Sequence, residues 1–274
     1  MAEIFGFDAY APKKIAERVE NIGVTKTRLP LLTEATLGVL AGGFIGLGAL
    51  YFTLVTSDSS LTFAASRLLG GLTFSLGLIL VVVAGAELFT GNNFLVMAWA
   101  SRRITTRELL KHWLVVYLAN FIGALGLVLL VFLSDHWQMA NGAVGANAVK
   151  IASAKTALSF SEAFFKGILC NILVCLAVWL SIAARSVVDK IFAIIFPISA
   201  FVAAGFEHSV ANMYFIPLGI LLKNRNLGSS SETLSWLGLW PNLVPVTLGN
   251  IVGGSVMVAL VYYFVYRRGA GKLK

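Results

Sequence analysis

Six apolar stretches separated by polar connectors order the chain, at about 31–56, 68–100, 108–133, 160–184, 188–222 and 242–266. Each exceeds the ~20 residues that an α-helix needs to cross ~30 Å of hydrocarbon. The pattern therefore predicts an all-α membrane protein with six transmembrane helices. The second and fifth stretches are too long for one straight span, and each carries glycine and an acidic residue near its middle. Both are expected to be interrupted near the midplane. Residues 1–30 are polar with scattered apolar positions (Ile15, Val19, Ile22), which fits about two turns of amphipathic helix lying on the membrane surface. Connectors 134–159 and 223–241 are rich in Ser, Asn and Gly and read as solvated loops. The expected organisation is an N-terminal segment at 1–30, a six-span domain at 31–268 with repeats near 31–133 and 160–266, and a tail at 269–274.

Composition agrees with this pattern. The chain has 274 residues, 58% of them apolar and 12% charged, with a mean hydropathy of +0.85, values that exclude a water-soluble globule. Its net charge of +8 does not point to nucleic acid, because the basic residues sit between apolar segments instead of forming one face. They do set an orientation. Six spans put both termini and loops 101–111 and 185–190 on one side, with fifteen Lys and Arg against six on the other. Both termini are expected to be cytoplasmic in a multi-pass protein of a bacterial inner membrane. No cleavable leader is expected, since residues 1–30 lack an apolar core. Cys170 and Cys175, five apart in one apolar segment, support neither a disulfide nor a metal site.

The polar residues inside the spans carry the chemistry. In the fifth stretch Gly205-Phe206-Glu207-His208 is followed by Asn212, and in the second Gly85-Ala86-Glu87 is followed by Asn92. The third and sixth share Asn-x2-Gly, as Asn120…Gly123 and Asn250…Gly253. Three spans per half force the two halves to point oppositely through the membrane. The result is an inverted 3+3 repeat, a plan that puts a permeant site at the midplane between broken helices. A charge at the bilayer centre costs ~2.5–3.5 kcal/mol even on lenient scales, so a polar pathway is the economical explanation of these residues. His208 is the one histidine deep in a span; His112 is placed near a span end and His136 in a loop. An imidazole can donate a hydrogen bond to an anion or exchange a proton with it. A bare carboxylate facing the path would repel anions, so Glu87 and Glu207 are expected to support the breaks. Their partners are expected to be backbone N–H groups or a neutral side chain. Gly85 and Gly205 supply the breaks themselves, and Thr90 offers a hydroxyl at the first. Lys155 precedes span four and either raises the local anion concentration at a mouth or is a solvated loop lysine. Phe74, Leu78, Leu88, Phe89, Phe201 and Phe206 lie close to the breaks, as packing residues or as apolar constrictions. The chain has no catalytic motif, and no cofactor or metal site is expected.

Taken together, the segments Gly70–Leu78, Gly85–Gly91, Asn171–Trp179, Gly205–Met213 and Pro245–Gly254 resemble the formate/nitrite transporter family, in the family's order and over about residues 29–266. The resemblance implies an aquaporin-like fold, a homopentamer with one pore per subunit, and passage of small monovalent anions, often with protons. It implies His208 as the central pore histidine and Thr90 as its partner. Asn171, Asn212 and Asn250 would be polar residues around the pore centre, with Lys155 near the external vestibule. Phe74, Leu78 and Phe201 would form an external constriction, and Leu88, Phe89 and Phe206 a cytoplasmic one. The N-terminal helix would gate the cytoplasmic mouth. Phe206 is more similar to the formate channels, while Glu87 with Gly91, and Phe164–Gly167, are more similar to the nitrite channels.

The expected function is a channel or transporter for formate, proton-coupled through His208, in contact with lipid and not with nucleic acid. Nitrite or hydrosulfide are the alternatives within the fold. A neutral-solute facilitator fits less well, because an Asn-Pro-Ala pair at the breaks is absent. An intramembrane enzyme or an assembly subunit would need a nucleophile or metal set beside Glu207-His208, and the sequence has none there.

Overall fold

The computed structural model describes residues 9–268 apart from 226, 228 and 229; the tail expected at 269–274 and the first eight residues of the N-terminal segment lie outside the described residues. Ten helices carry the architecture. α1 (Pro12–Thr27) precedes α2 (Leu31–Val55). Helix α3 (Phe63–Gly85) closes in a π-helical turn, and after a short extended break a 3-10 turn (Gly91–Phe94) leads into α4 (Leu95–Ala100). Then come α5 (Thr106–Leu133), α6 (Ala143–Thr156) and α7 (Phe160–Ala183). α8 (Val187–Ala204) and α9 (Ser209–Leu222) flank the second break, and α10 (Trp236–Tyr266) ends the described chain. Six of these elements are long and apolar enough to span a membrane.

The two halves repeat one packing scheme. α2 packs on α3 and α5, and α7 packs on α8 and α10 in the same way. The short helices follow suit, α1 lying against α4 and α6 against α9. Close approach along each α2–α5-type contact depends on a glycine. A Cβ on Gly123 would run into the carbonyl oxygen of Val39, and a Cβ on Gly253 into that of Ile168. Such small-residue contacts let helix backbones approach where the hydrophobic effect between helices is weak.

Helix α6 corrects one expectation. The connector 134–159 is not merely a solvated loop, because 14 of its residues form a helix with Val144, Ala148, Val149 and Ala152 buried. Ser/Asn/Gly content hid a helix whose small residues fit against α9, Gly219 touching Ala152. Its counterpart α1 forms as expected, but its apolar face (Ile15, Ala16, Val19, Val24) is buried on protein instead of being laid on lipid. The anchor is polar. Glu20 is fully buried, receives two bonds from Arg267 (2.9 and 3.0 Å) and one from Ser101 (2.6 Å).

Candidate permeation site

Both breaks start with glycine in the left-handed region, Gly85 at φ +83° and Gly205 at φ +73°, a conformation in which a Cβ is strained. The freed backbone groups are then taken up by one asparagine per half. Asn120 Nδ2 donates to the carbonyls of Gly38 (2.7 Å) and Glu87 (2.8 Å), while its Oδ1 accepts from Phe89 N (2.9 Å). Asn250 does the same in the other half, donating to Gly167 (2.8 Å) and Glu207 (3.0 Å) and accepting from Ser209 N (2.9 Å). Both amides are fully buried. An irregular backbone at membrane depth requires such internal satisfaction.

The carboxylates are also matched. Glu87 receives Asn92 Nδ2 at 2.7 Å and Lys26 Nζ at 2.9 Å; Glu207 receives Asn212 Nδ2 at 2.7 Å and Lys155 Nζ at 2.8 Å. The two lysines come from the two short helices, α1 and α6. The neutral partner expected is present in each case as an asparagine amide, and the lysine is the correction: each acid has an amide and a cation. A buried charge survives in low dielectric only when paired and hydrogen-bonded, and the break backbone, already committed to asparagine, has too few N–H groups left.

His208 caps α9. Its Nδ1 accepts the backbone N–H of Ala211 at 3.1 Å. A ring nitrogen that accepts in this way carries no proton, so the neutral ring holds its hydrogen on Nε2. Nε2 meets Thr90 Oγ1 at 2.9 Å across the two breaks, both side chains being buried. Phe201 stacks on the imidazole, centroids 6.0 Å apart, and Phe74 meets Phe201 edge-on at 5.7 Å.

A cavity opens on each side of this contact. One, of about 440 Å³, is lined by α1 (Arg18, Ile22, Lys26), by Leu78 and Leu88, and by Glu87 and Asn92. The other, of about 340 Å³, is lined by Phe74, Phe201, Phe206, His208, Lys155 and Glu207. Chain connectivity puts the first on the face of the termini and the second on the opposite face. Two aromatic and aliphatic placements therefore differ from expectation. Phe206 lines the second cavity with Phe74 and Phe201, and Leu78 lines the first with Leu88. Phe89 packs edge-on against Trp113 and Tyr117 (6.1 and 4.9 Å).

The asparagines divide as well. Asn171 Nδ2 lies within hydrogen-bonding reach of the carbonyls of Asn250 (2.7 Å) and Thr90 (3.3 Å) and of Asn93 Oδ1 (3.0 Å), tying break one to α7 and α10. Asn212 joins Glu207 to Asn242 Oδ1 (2.7 Å), and Asn242 in turn donates to Lys155 O at 2.8 Å.

Several members of the site escaped sequence reasoning. Lys26 is one. His112 is another: it lies buried between two acids, Nε2 accepting from Asn92 Nδ2 at 2.9 Å with Glu87 at 3.6 Å. Its Nδ1 stands 2.8 Å from Glu34, at ion-pair distance but off the line of a hydrogen bond. The signal was the repeat itself. The match of Asn120 with Asn250 sets His112 against Asn242, and that of their carbonyl partners, Gly38 with Gly167, sets Lys26 against Lys155.

Inverted repeats with two broken helices meeting at a buried polar contact between two cavities define a membrane channel or transporter. The comparisons narrow the class. A family model described as formate/nitrite transporter matches residues 13–264. The chain is 44% identical to "Formate channel FocA" of Escherichia coli, over 96% of each chain. It is 36% identical to the "Probable formate transporter" of Methanothermobacter thermautotrophicus, over 93% of this chain and 97% of that one. A solved "Pentameric formate channel with formate bound" superposes with a TM-score of 0.81 at 39% identity, covering 86% of this chain and 97% of that one. An "FNT family ion channel" superposes at 0.82 and 30% identity, covering 92% and 98%. The chain belongs to the formate/nitrite transporter family, and its fold is the aquaporin-like one expected. It is a channel-type membrane protein and not an enzyme.

Proposed function

We propose that the chain conducts formate across a bacterial inner membrane, past His208 and Thr90, with nitrite as the runner-up. The observation that carries this reading is the 2.9 Å contact between Thr90 and His208, bounded by a cavity on either side. With Nδ1 occupied by Ala211 N–H, the imidazole donates to Thr90 Oγ1. That leaves the threonine hydrogen free to turn toward an anion. The groups offered to the permeant ion are thus a hydroxyl and, once Thr90 rotates, the Nε2 proton. Once His208 takes up a proton on Nδ1, giving up its contact with Ala211 N–H, the imidazolium passes its Nε2 proton to the carboxylate and returns to the neutral ring. A neutral acid then crosses the ring of Phe74, Phe201 and Phe206 without the cost of a bare charge in an apolar site. Lys155 and Lys26 each stand beside a carboxylate at one cavity, so they position Glu207 and Glu87 and add a positive edge for an arriving anion.

The formate channels and transporter among the chain's relatives support formate over nitrite, and the solved pentameric formate channel it superposes on supports a homopentamer. Apolar residues left exposed in the single chain, such as Leu114, Leu118, Ile122, Leu129 and Phe196, would then face lipid or neighbouring subunits. We place both termini in the cytoplasm on the positive-inside count, with 1–30 as the N-terminal segment, 31–268 as the channel domain and 269–274 as the tail. Formate uptake into proteoliposomes across a pH gradient tests the mechanism. His208→Phe is expected to abolish proton-coupled uptake, and undiminished pH-dependent uptake by that variant overturns the proton step.

A further inference from the structure

The two cavities differ in how much of their positive charge is spoken for. On the α1 face, Lys26 is paired with Glu87, while Arg18, whose guanidinium sits 4.1 Å over the Tyr10 ring, and Lys190 have no carboxylate partner among the described residues, which leaves two free cations. On the opposite face, Arg67, Lys150, Lys155 and Lys166 all line the cavity. Only Lys155 has a carboxylate partner. Among the described residues Arg67, Lys150 and Lys166 form no ion pair; Arg67 rests over Phe63 at 5.3 Å, and Lys166 contributes only its backbone carbonyl, to Glu207 N. The nearest acid, Glu162, is one helical turn from Lys166 and offsets part of its charge without forming an ion pair, its carboxylate being held in the cap of α7 by Ser159 N and Oγ (3.0 and 2.7 Å). Glu207, the one carboxylate in the lining, is already neutralised by Lys155.

Three cations without an ion-pair partner around about 340 Å³ exceed what a one-carbon monovalent anion can use. Such an ion neutralises one of them and fills little of the space. We propose that this cavity holds a second, non-conducting anion site that takes a small doubly charged anion, a short dicarboxylate. Two carboxylates set apart by a short spacer can engage Arg67 on α3 and the lysines of α6 and α7 together, which joins all three elements at the mouth. The same anion cannot go further. Below it lie Phe74, Phe201 and Phe206, and His208 has one transferable proton, so a dianion would enter the apolar ring still charged. Occupancy of the mouth therefore blocks flux from this face. The inference rests on the reading that the pore conducts monovalent anions.

Oxalate and acetate, supplied to one face at a time of proteoliposomes carrying the full chain, provide the test. Formate flux is expected to be inhibited by oxalate several-fold more strongly from the Lys150 face than from the α1 face, because three free cations against two raise the local dianion concentration more. Acetate, with one charge, is expected to inhibit weakly from both. Inhibition by oxalate should weaken as ionic strength rises. Arg67→Gln alone, and together with Lys150→Gln and Lys166→Gln, is expected to raise the inhibitory concentration by several-fold and ~tenfold respectively. Formate flux is expected to persist in both, since none of the three touches His208 or Thr90. Calorimetric titration of oxalate onto the purified protein reads the site without any flux. A chain that bound oxalate in an Arg67-dependent manner but passed no formate would overturn the conduction reading and leave this site standing. Equal inhibition from both faces, oxalate crossing at the rate of formate, or Arg67-independent binding would overturn the site.

Discussion

The two breaks are built on one plan and furnished differently. Each has a left-handed glycine, a carboxylate held by an asparagine five residues on, a lysine from a short helix, and an amide from the last span of its half. Beyond that plan they diverge. Break two places His208 where break one has Leu88, and break one places Thr90 where break two has Val210. Around Glu87 stand His112 and Glu34; around Glu207 stand Asn242 and, at the position of Glu34, Ala163. The shared parts are those that make an irregular backbone tolerable in hydrocarbon. The unshared parts include His208 and Thr90, the pair proposed to meet an ion. Duplication thus separates scaffold from chemistry within a single chain.

That comparison can be broken first at its lysines. Lys155→Met leaves Glu207 with Asn212 alone, and removing one partner of a buried pair costs about 3–5 kcal/mol. The expected result is a large fall in the melting temperature of the detergent-solubilised protein. Lys26→Met is expected to cost less, because His112 and Asn92 remain beside Glu87. A larger loss for Lys26→Met would show that the two acids are not held equivalently. The amides come next. Asn120→Leu and Asn250→Leu each strand two carbonyls and one N–H, at about 1–3 kcal/mol per buried unsatisfied group offset in part by local relaxation. Denaturant or thermal unfolding should show near-equal losses for the two, as the repeat requires. The smallest effect is expected for His112→Asn, which rebuilds break one in the image of break two and keeps a polar group toward Asn92. A stability change within about 1 kcal/mol, with formate flux retained, is the expected outcome in a melting and uptake assay.

The fold was largely legible because membrane spans announce themselves by length, and interrupted spans by being too long. The pair His208 and Thr90 was legible for a related reason: polar residues in apolar stretches have few explanations. Helix α6 was not, since its small and polar residues satisfy a loop pattern as well as a helix buried on one side. The side of Phe206 was not, because a break rotates its residues by an amount that periodicity does not encode; that of Leu78 was not, because it depends on which of two cavities a residue inside regular α3 faces. Lys26 and His112 lie outside the obvious islands of polarity, and only their positions in the repeat distinguish them from ordinary residues near a span end.

Helix α1 and helix α6 hold a consequence for biogenesis. In both halves the lysine precedes its carboxylate in the chain, Lys26 before Glu87 and Lys155 before Glu207. Each cation is therefore synthesised, and stationed at its own face of the membrane, before the acid it will meet is inserted. For the two break acids, the counter-charge is already made when the carboxylate's own span follows. An order of synthesis with the acids first would expose each carboxylate to lipid for the time it takes to make a further helix or more.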